Sequence, residues 1–315
     1  MASQRTLWLF SDTWVGKIEN GHRTEATIVN NTAAIQSDVG DAAKIKFFIR
    51  RDAADQPTAL IAPSDGRGWF WLQAAQQQDG KLYIFLAQIE KNGEPGVFGF
   101  RQIGQWLGVV DNPDAEPTAW HITQQRLPNC VFSPARVRCF GAAVLPVGDD
   151  LIVYGIDEDR AGSDLKRRLI VAKAPAAKLS DLAAWQYFDG VTWQQDAHES
   201  AQLADGLATE FSVSWLPEIR QYVLVYTENG MSPNILARTA AQPEGPWSEP
   251  VAIYKCPDAV DEKRVFCYAA KAHPELSGSG DLLISYATNS TDFQQVASDA
   301  RLYWPRFVRL KFSGR

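Results

Sequence analysis

Five short stretches of this 315-residue chain repeat one pattern, an apolar and β-rich run that ends in a polar or acidic residue. They are LWLFSDT from Leu7, LYIFLAQ from Leu82, LIVYGID from Leu151, YVLVYTE from Tyr222 and LLISYAT from Leu282, at intervals of 75, 69, 71 and 60 residues. Four of them follow another strand-like run and a tight turn, as in WFWLQAAQQQDGKLYIF and CFGAAVLPVGDDLIVY. Asp79-Gly80, Gly148-Asp149 and Gly278–Gly280 supply the turns, because Gly and Asp accept the positive φ that short hairpin loops demand. Helical periodicity is confined to AAKLSDLAAWQ, residues 176–186, which reads as a short helix or as a turn borne on a loop. A repeat of about 70 residues carrying about four strands cannot bury its apolar faces alone, and stacking such units in a ring does so.

The predicted fold is therefore all-β: one domain over residues 1–315, a five-bladed β-propeller with blades of about four antiparallel strands. The innermost strands are expected to be WFWLQAA, CFGAAVL, EFSVSWL and CYAAKAH, whose small residues suit crowding near an axis. The last strand, ARLYWPRFVRLKF from Ala300, alternates with period two and is expected to close the ring, which would remove exposed sheet edges. LWLFSDT reads as the second strand of its blade, so either the C-terminal segment fills the place of the first or that strand is missing.

Composition removes several functional classes. A net charge of −6 and a pI near 5.3 offer no basic face, so no nucleic-acid partner is expected. No apolar run approaches the ~18–20 residues of a membrane span, so no membrane partner is expected either. MASQRTLWLFSDTW has no charged-then-apolar leader, which points to the cytoplasm by default, or to secretion if the N-terminus is truncated. Cys130, Cys139, Cys256 and Cys267 form no CxxC pair and are either two local disulfides or buried free thiols. Four histidines without a close pair do not suggest a His-rich metal site, and no nucleophile elbow, HExxH, phosphate loop or dinucleotide fingerprint occurs.

The acids and aromatics carry the chemistry that remains. In LATEFSVSWLPEIRQYVLVYTENG, residues 207–230, two runs flank a turn centred near residue 219, which would set Glu210 and Glu228 nearly opposite. Like charges facing across a strand pair are destabilising, so their presence at one open end asks for a use. A propeller gathers such open ends on one face around a funnel, which would collect Asp12, Asp157 with Glu158, and Glu210 with Glu228. Carboxyls several ångströms apart can serve as acid and base in glycosidic cleavage, with crowding keeping one protonated while another stays ionised.

The alternatives are an Asx-type turn for Asp12, a solvated charge run for Asp157–Asp159, and polar support beside Asn229-Gly230 for Glu228. Trp14, Trp69, Trp71, Tyr268 and Trp304 are candidate stacking surfaces for a sugar, or blade-packing core. Asn30, in VNNTAAIQ, joins them as a candidate substrate-binding residue. Arg138 is placed to pair with Asp157 or with substrate, and His273 is either a satisfied core side chain or a ligand for axial water or a cation such as calcium. No cofactor is otherwise required.

Taken together, SDTWVG, VNNTAAIQ, GVVDNPD, YGIDED, DGLATEFSVS, YTENGMSP, FCYAAKAHPEL and ARLYWPRF resemble the bacterial five-bladed propellers of domain of unknown function 4185. The likeness runs from Leu7 to Phe312, and that group looks related in architecture to glycoside hydrolase families 43, 62, 117 and 183. The resemblance implies a glycosidase, of inverting type, acting on an arabinan-like pentofuranosyl polymer, with a non-catalytic carbohydrate-binding propeller as the alternative. It implies a base from the first blade, a pKa-tuning Asp from a middle blade and an acid Glu from a later one. By position these roles fall to Asp12, Asp157 and Glu210.

Overall fold

The computed structural model describes residues 5–38, 44–160 and 166–312. Two compact units meet in the sequence at Leu127 and Pro128. In the first unit, β1 (Thr6–Phe10) leads into a separate hairpin of β2 (Thr13–Glu19) and β3 (His22–Val29). The chain returns as β4 (Thr32–Gln36) and β5 (Ile45–Phe48), which complete a sheet of order β1-β4-β5. A short ladder of β6 (Arg50–Arg51) and β7 (Pro57–Thr58) precedes a meander of β8 (Trp69–Gln78), β9 (Lys81–Lys91), β10 (Phe100–Val110) and β11 (Ile122–Arg126). The β8–β9 turn is Asp79-Gly80, with φ of 50° and 73°, the positive pair that suits a two-residue hairpin between twisted strands.

Burial explains why these strands associate. Phe70, Ile84, Leu86 and Val110 pack with Ala33, Leu60 and Ile61 into one apolar cluster that joins the β1-β4-β5 sheet to the β8–β11 meander. Asn31 is the polar tie within it. Its amide donates to the carbonyls of Ile61 (2.9 Å) and Phe70 (2.8 Å), and its side-chain oxygen accepts the Ile61 N–H (2.7 Å).

The second unit holds three sheets. The first runs in chain order through β12 (Val131–Phe132), β13 (Arg136–Val147), β14 (Asp150–Asp159), β15 (Lys166–Pro175), β16 (Gln186–Phe188) and β17 (Trp193–Gln194). The next is β18 (Phe211–Leu216), β19 (Gln221–Thr227), β20 (Asn234–Ala240) and β21 (Val251–Lys255). The last is β22 (Val265–Ala272), β23 (Asp281–Ser290) and β24 (Pro305–Lys311). The two α-helices among the described residues are single turns or little more, α1 (Asp258–Asp261) and α2 (Phe293–Ser298). Tyr154, Phe211, Leu224 and Tyr226 fill one core between sheets, and Val225, Ile235, Cys267 and Ile284 fill the next. The strand β18 packs beside both β13 and β22, so the three sheets meet along these strands. Five antiparallel sheets, two in the first unit and three in the second, are the blades of a five-bladed β-propeller.

Several expectations change in detail. LWLFSDT is not a second strand: β1 lies at the edge of its sheet and pairs with β4, from Thr6↔Gln36 to Phe10↔Thr32, so VNNTAAIQ provides the second strand. The β2–β3 hairpin inserted between them hides this, because an apolar run reads alike at either position. The C-terminal strand pairs with β23 and with no other strand among the described residues. Its alternating exposure, with Arg309 and Lys311 outward, is that of a charged outer edge of its own blade rather than a closing strand shared with another. AAKLSDLAAWQ forms two 3₁₀ turns, Ala176–Lys178 and Leu182–Ala184, with the Asp181 carboxylate accepting the Ala183 N–H at the second. All four cysteines are free thiols.

Candidate active site

Asp12 sits in the link between β1 and β2, where Ser11 donates to the Leu72 carbonyl (3.2 Å) and Thr13 donates back to the Ser11 carbonyl (2.8 Å). These bonds fix the backbone on either side of the carboxyl. The indole N–H of Trp71 (2.8 Å) and the Asn30 amide (3.2 Å) both donate to Asp12 Oδ1. Among the described residues Oδ2 accepts nothing. Burial raises the Asp12 pKa above its ordinary value, and the two hydrogen bonds pull it only partly back. Trp71 is held in turn by the edge of Phe100, 4.7 Å between ring centroids. An oriented carboxyl with one oxygen free and a raised pKa can exchange a proton with a bound molecule. Trp14 is placed differently: it lies on the β2–β3 hairpin with the Arg23 guanidinium 5.6 Å from its ring centre.

In the second unit the acids of β14 are engaged. Arg136 and Arg138 lie two residues apart on β13 and so share a face, and Arg138 is registered directly across from Asp157. Asp157 is 1% exposed. Arg136 takes both of its oxygens, and Arg138 (3.0 Å) and Gln202 (3.0 Å) bond Oδ2. Burial pushes this carboxyl up, but the hydrogen bonds from Arg136, Gln202 and Arg138 outweigh it and hold the pKa at about 2. Arg138 also donates to the Ala197 carbonyl at 2.8 Å. Glu158, next along β14, points to the opposite face, where Arg160 binds Oε1 and Arg167 binds Oε2 through Nε (2.8 Å) and Nη2 (2.5 Å). Each oxygen of both acids thus accepts from at least one side chain. Asp157, expected as the pKa-tuning acid, and Glu158 and Arg138, expected among the substrate ligands, lie together in an arginine-clamped ion-pair network.

Glu210 immediately precedes β18 and is half-buried, with its one described hydrogen bond from Thr209 (3.2 Å). It does not face Glu228. The β18–β19 register pairs Phe211 with Tyr226, which puts Glu210 opposite Thr227, one residue away from the expected pairing. Glu228 turns aside into a tight loop, where Ser232 (2.9 Å) and Asn234 (2.8 Å) donate to its Oε2. Lys271, on β22, is the charged neighbour of Glu210 that sequence patterns miss. Burial lowers its pKa, and the Glu210 charge works against that fall.

Tyr268 lies on β22 beside Phe266, 5.8 Å between rings. Both ring nitrogens of His273 face protein groups, Nε2 with Ser285 Oγ (2.7 Å) and Nδ1 with Glu275 (3.4 Å). Among the described residues no three His, Cys, Asp or Glu side chains are grouped to hold a metal ion. Trp304 is 47% exposed, ahead of β24. A surface cavity of about 460 Å³, lined by Asn129, Tyr187, Asp196 and His198, contains none of the predicted site residues.

A match to the family described as Domain of unknown function (DUF5005) runs over residues 1–312. The chain belongs to the DUF5005 family. Its resemblance to the 4185 group rests on the sequence motifs alone. No curated protein is similar to this DUF5005 chain in sequence. Among solved structures it is similar to a protein of Bacteroides ovatus ATCC 8483 described as a candidate hydrolase, at 17% identity and a TM-score of 0.72, covering 97% of this chain and 82% of that one.

It is also similar to a family-43 β-xylosidase/α-arabinofuranosidase from a compost microbial metagenome, solved with xylotriose, at 15% identity and a TM-score of 0.50 over 99% of this chain and 88% of that one. An α-L-arabinofuranosidase from Clostridium thermocellum ATCC 27405 matches at 11% identity and a TM-score of 0.51, over 95% of this chain and 89% of that one. At such identities the likeness establishes the fold of the DUF5005 chain, a propeller shared with glycoside hydrolases.

Proposed function

We propose that this DUF5005 protein is a glycoside hydrolase that cleaves an arabinan-type pentofuranosyl polysaccharide by carboxylate acid–base catalysis. The observation that supports this most is the state of Asp12. A half-buried carboxyl is aimed by an indole and an amide through one oxygen, leaves the other without a donor among the described residues, and has its pKa raised by burial. A base is most effective when its pKa lies near the working pH, and an unassisted surface aspartate lies well below it. In this reading Asp12 is the general base and Glu210 the general acid. Asp157 remains ionised between its arginines and exchanges no proton. Trp71, Asn30, Trp14, Tyr268, Trp304 and Glu228 are the residues left to meet sugar rings and hydroxyls. The glycosidases among its fold relatives make a saccharide the substrate class to try first.

The test is product analysis on defined polysaccharides, arabinans and arabinogalactans first. Asp12→Asn and Glu210→Gln are each expected to lower turnover by more than ~100-fold with the fold retained. Turnover near that of the unmodified protein in both would end the assignment. A non-catalytic carbohydrate-binding propeller is the second reading, and the clamping of both β14 acids by arginines favours it. It would show saccharide binding by calorimetry without release of reducing ends.

A further inference from the structure

We propose that Lys271 is the positioning residue of Glu210, a charge partner delivered from the neighbouring blade by a bulge in β22. This rests on Glu210 being one of the working carboxylates, and it concerns how that side chain is held.

The placement follows from the register. Glu210 lies opposite Thr227, one step beyond the Phe211↔Tyr226 pair. The Ala270 N–H donates to Thr227 Oγ1 (3.3 Å), and the Ala272 N–H donates to Ser212 Oγ (2.7 Å). Lys271 therefore stands between two backbone amides, one anchored to Thr227 across from Glu210 and the other to Ser212 two residues beyond it. The β22–β23 ladder passes from Tyr268↔Ala287 to Lys271↔Ser285, three steps on β22 against two on β23. One residue is extra, and Ala269 takes a φ of 55° to accommodate it. Because side chains alternate with period two, a one-residue insertion reverses the face of everything after it. The bulge is thus what sends the lysine to its present side of the strand.

The surroundings leave the pair to itself. Lys271 has no hydrogen bond or ion pair among the described residues, and Glu210 has one hydrogen bond, from its own neighbour Thr209. Other charged groups nearby in the sequence are committed elsewhere: His273 to Ser285 and Glu275, and Glu228 to Ser232 and Asn234. Burial disfavours the ammonium, and the Glu210 carboxylate is the opposing influence. The same attraction, acting the other way, restrains the carboxylate toward β22.

Two measurements on the full chain decide the matter. The first is the NMR titration of the Lys271 side chain, assigned by loss of its signal in Lys271→Arg. A carboxylate favours the ammonium form, so Glu210→Gln is expected to move the lysine midpoint further down. An unchanged midpoint overturns the proposal, and this readout needs no catalytic activity. The second is steady-state kinetics on whichever polysaccharide the protein cleaves. Lys271→Met is expected to lower kcat by about tenfold or more with KM within about threefold, and Lys271→Arg to recover most of the loss. Equal losses in both variants would mark a packing role and overturn it. Inactivity of the unmodified protein on every polysaccharide would sink the hydrolase reading, while the titration would still decide the pairing. Should Lys271→Met fail to fold, the titration together with Lys271→Arg carries the decision.

Discussion

Replacing Asp157 measures what its buried ion pair contributes to the fold. Its carboxylate is enclosed by Arg136, Arg138 and Gln202, and Arg138 is itself 4% exposed. Asp157→Asn leaves a buried guanidinium without its counter-charge, which costs about 3–5 kcal/mol when one member of a buried pair is removed. Replacing both partners with apolar groups, Asp157→Leu with Arg138→Met, is expected to restore most of that loss, because the buried charge goes with its partner. The pH dependence gives an independent figure. The pKa of about 2 lies below the ordinary 3.8, a gap worth about 2 kcal/mol, and nearer 1 once solvent screens the half-exposed Arg136. Because the folded-state value is depressed, this stability is fully present above the unfolded value and is lost as pH falls from about 4 through about 2. Urea unfolding followed by tryptophan fluorescence would read both effects as shifts in midpoint. A loss below about 1 kcal/mol for Asp157→Asn, or a double variant as unstable as the two single changes summed, would refute the ion-pair reasoning.

Two further outcomes are expected. Asn31→Ala removes one acceptor and two donors that serve buried backbone groups of Ile61 and Phe70, and should cost about 3 kcal/mol in urea unfolding; a loss under about 1 kcal/mol would show that the loop relaxes around it. Trp71→Phe removes a hydrogen bond that favours the ionised form of Asp12, so the carboxyl should rise further. If Asp12 is the base, the acidic limb of the kcat/KM profile then moves to higher pH, and an unmoved limb would take Asp12 out of that role.

The blade count and the hairpins were legible because they depend on local chemistry. Alternating or continuous apolar runs of strand length, closed by Asp-Gly or Gly-rich turns, admit few other folds. What was lost depends on information that a linear pattern does not carry. LWLFSDT and LYIFLAQ look alike, yet one is an edge strand and the other an interior one, and only the intervening β2–β3 hairpin distinguishes them. The Glu210–Glu228 pairing was off by one because a four-residue turn, Pro217–Arg220, joins Leu216 to Gln221 and shifts the register by half a step from the assumed centre. The acids of YGIDED were visible, but their arginines were not all: Arg160 and Arg167 flank residues whose pairing is settled by which face of β14 each acid takes. Lys271 carried no signal at all, since its side of the strand is set by a bulge at Ala269 that no residue preference announces.

The most direct measurement is the release of reducing ends from purified arabinan and arabinogalactan by the unmodified protein, Asp12→Asn and Glu210→Gln, each checked for native fold by circular dichroism. The account predicts cleavage by the first and a loss of more than ~100-fold in each of the others. Cleavage that survives both substitutions, or none from the unmodified protein on any polysaccharide offered, would contradict it.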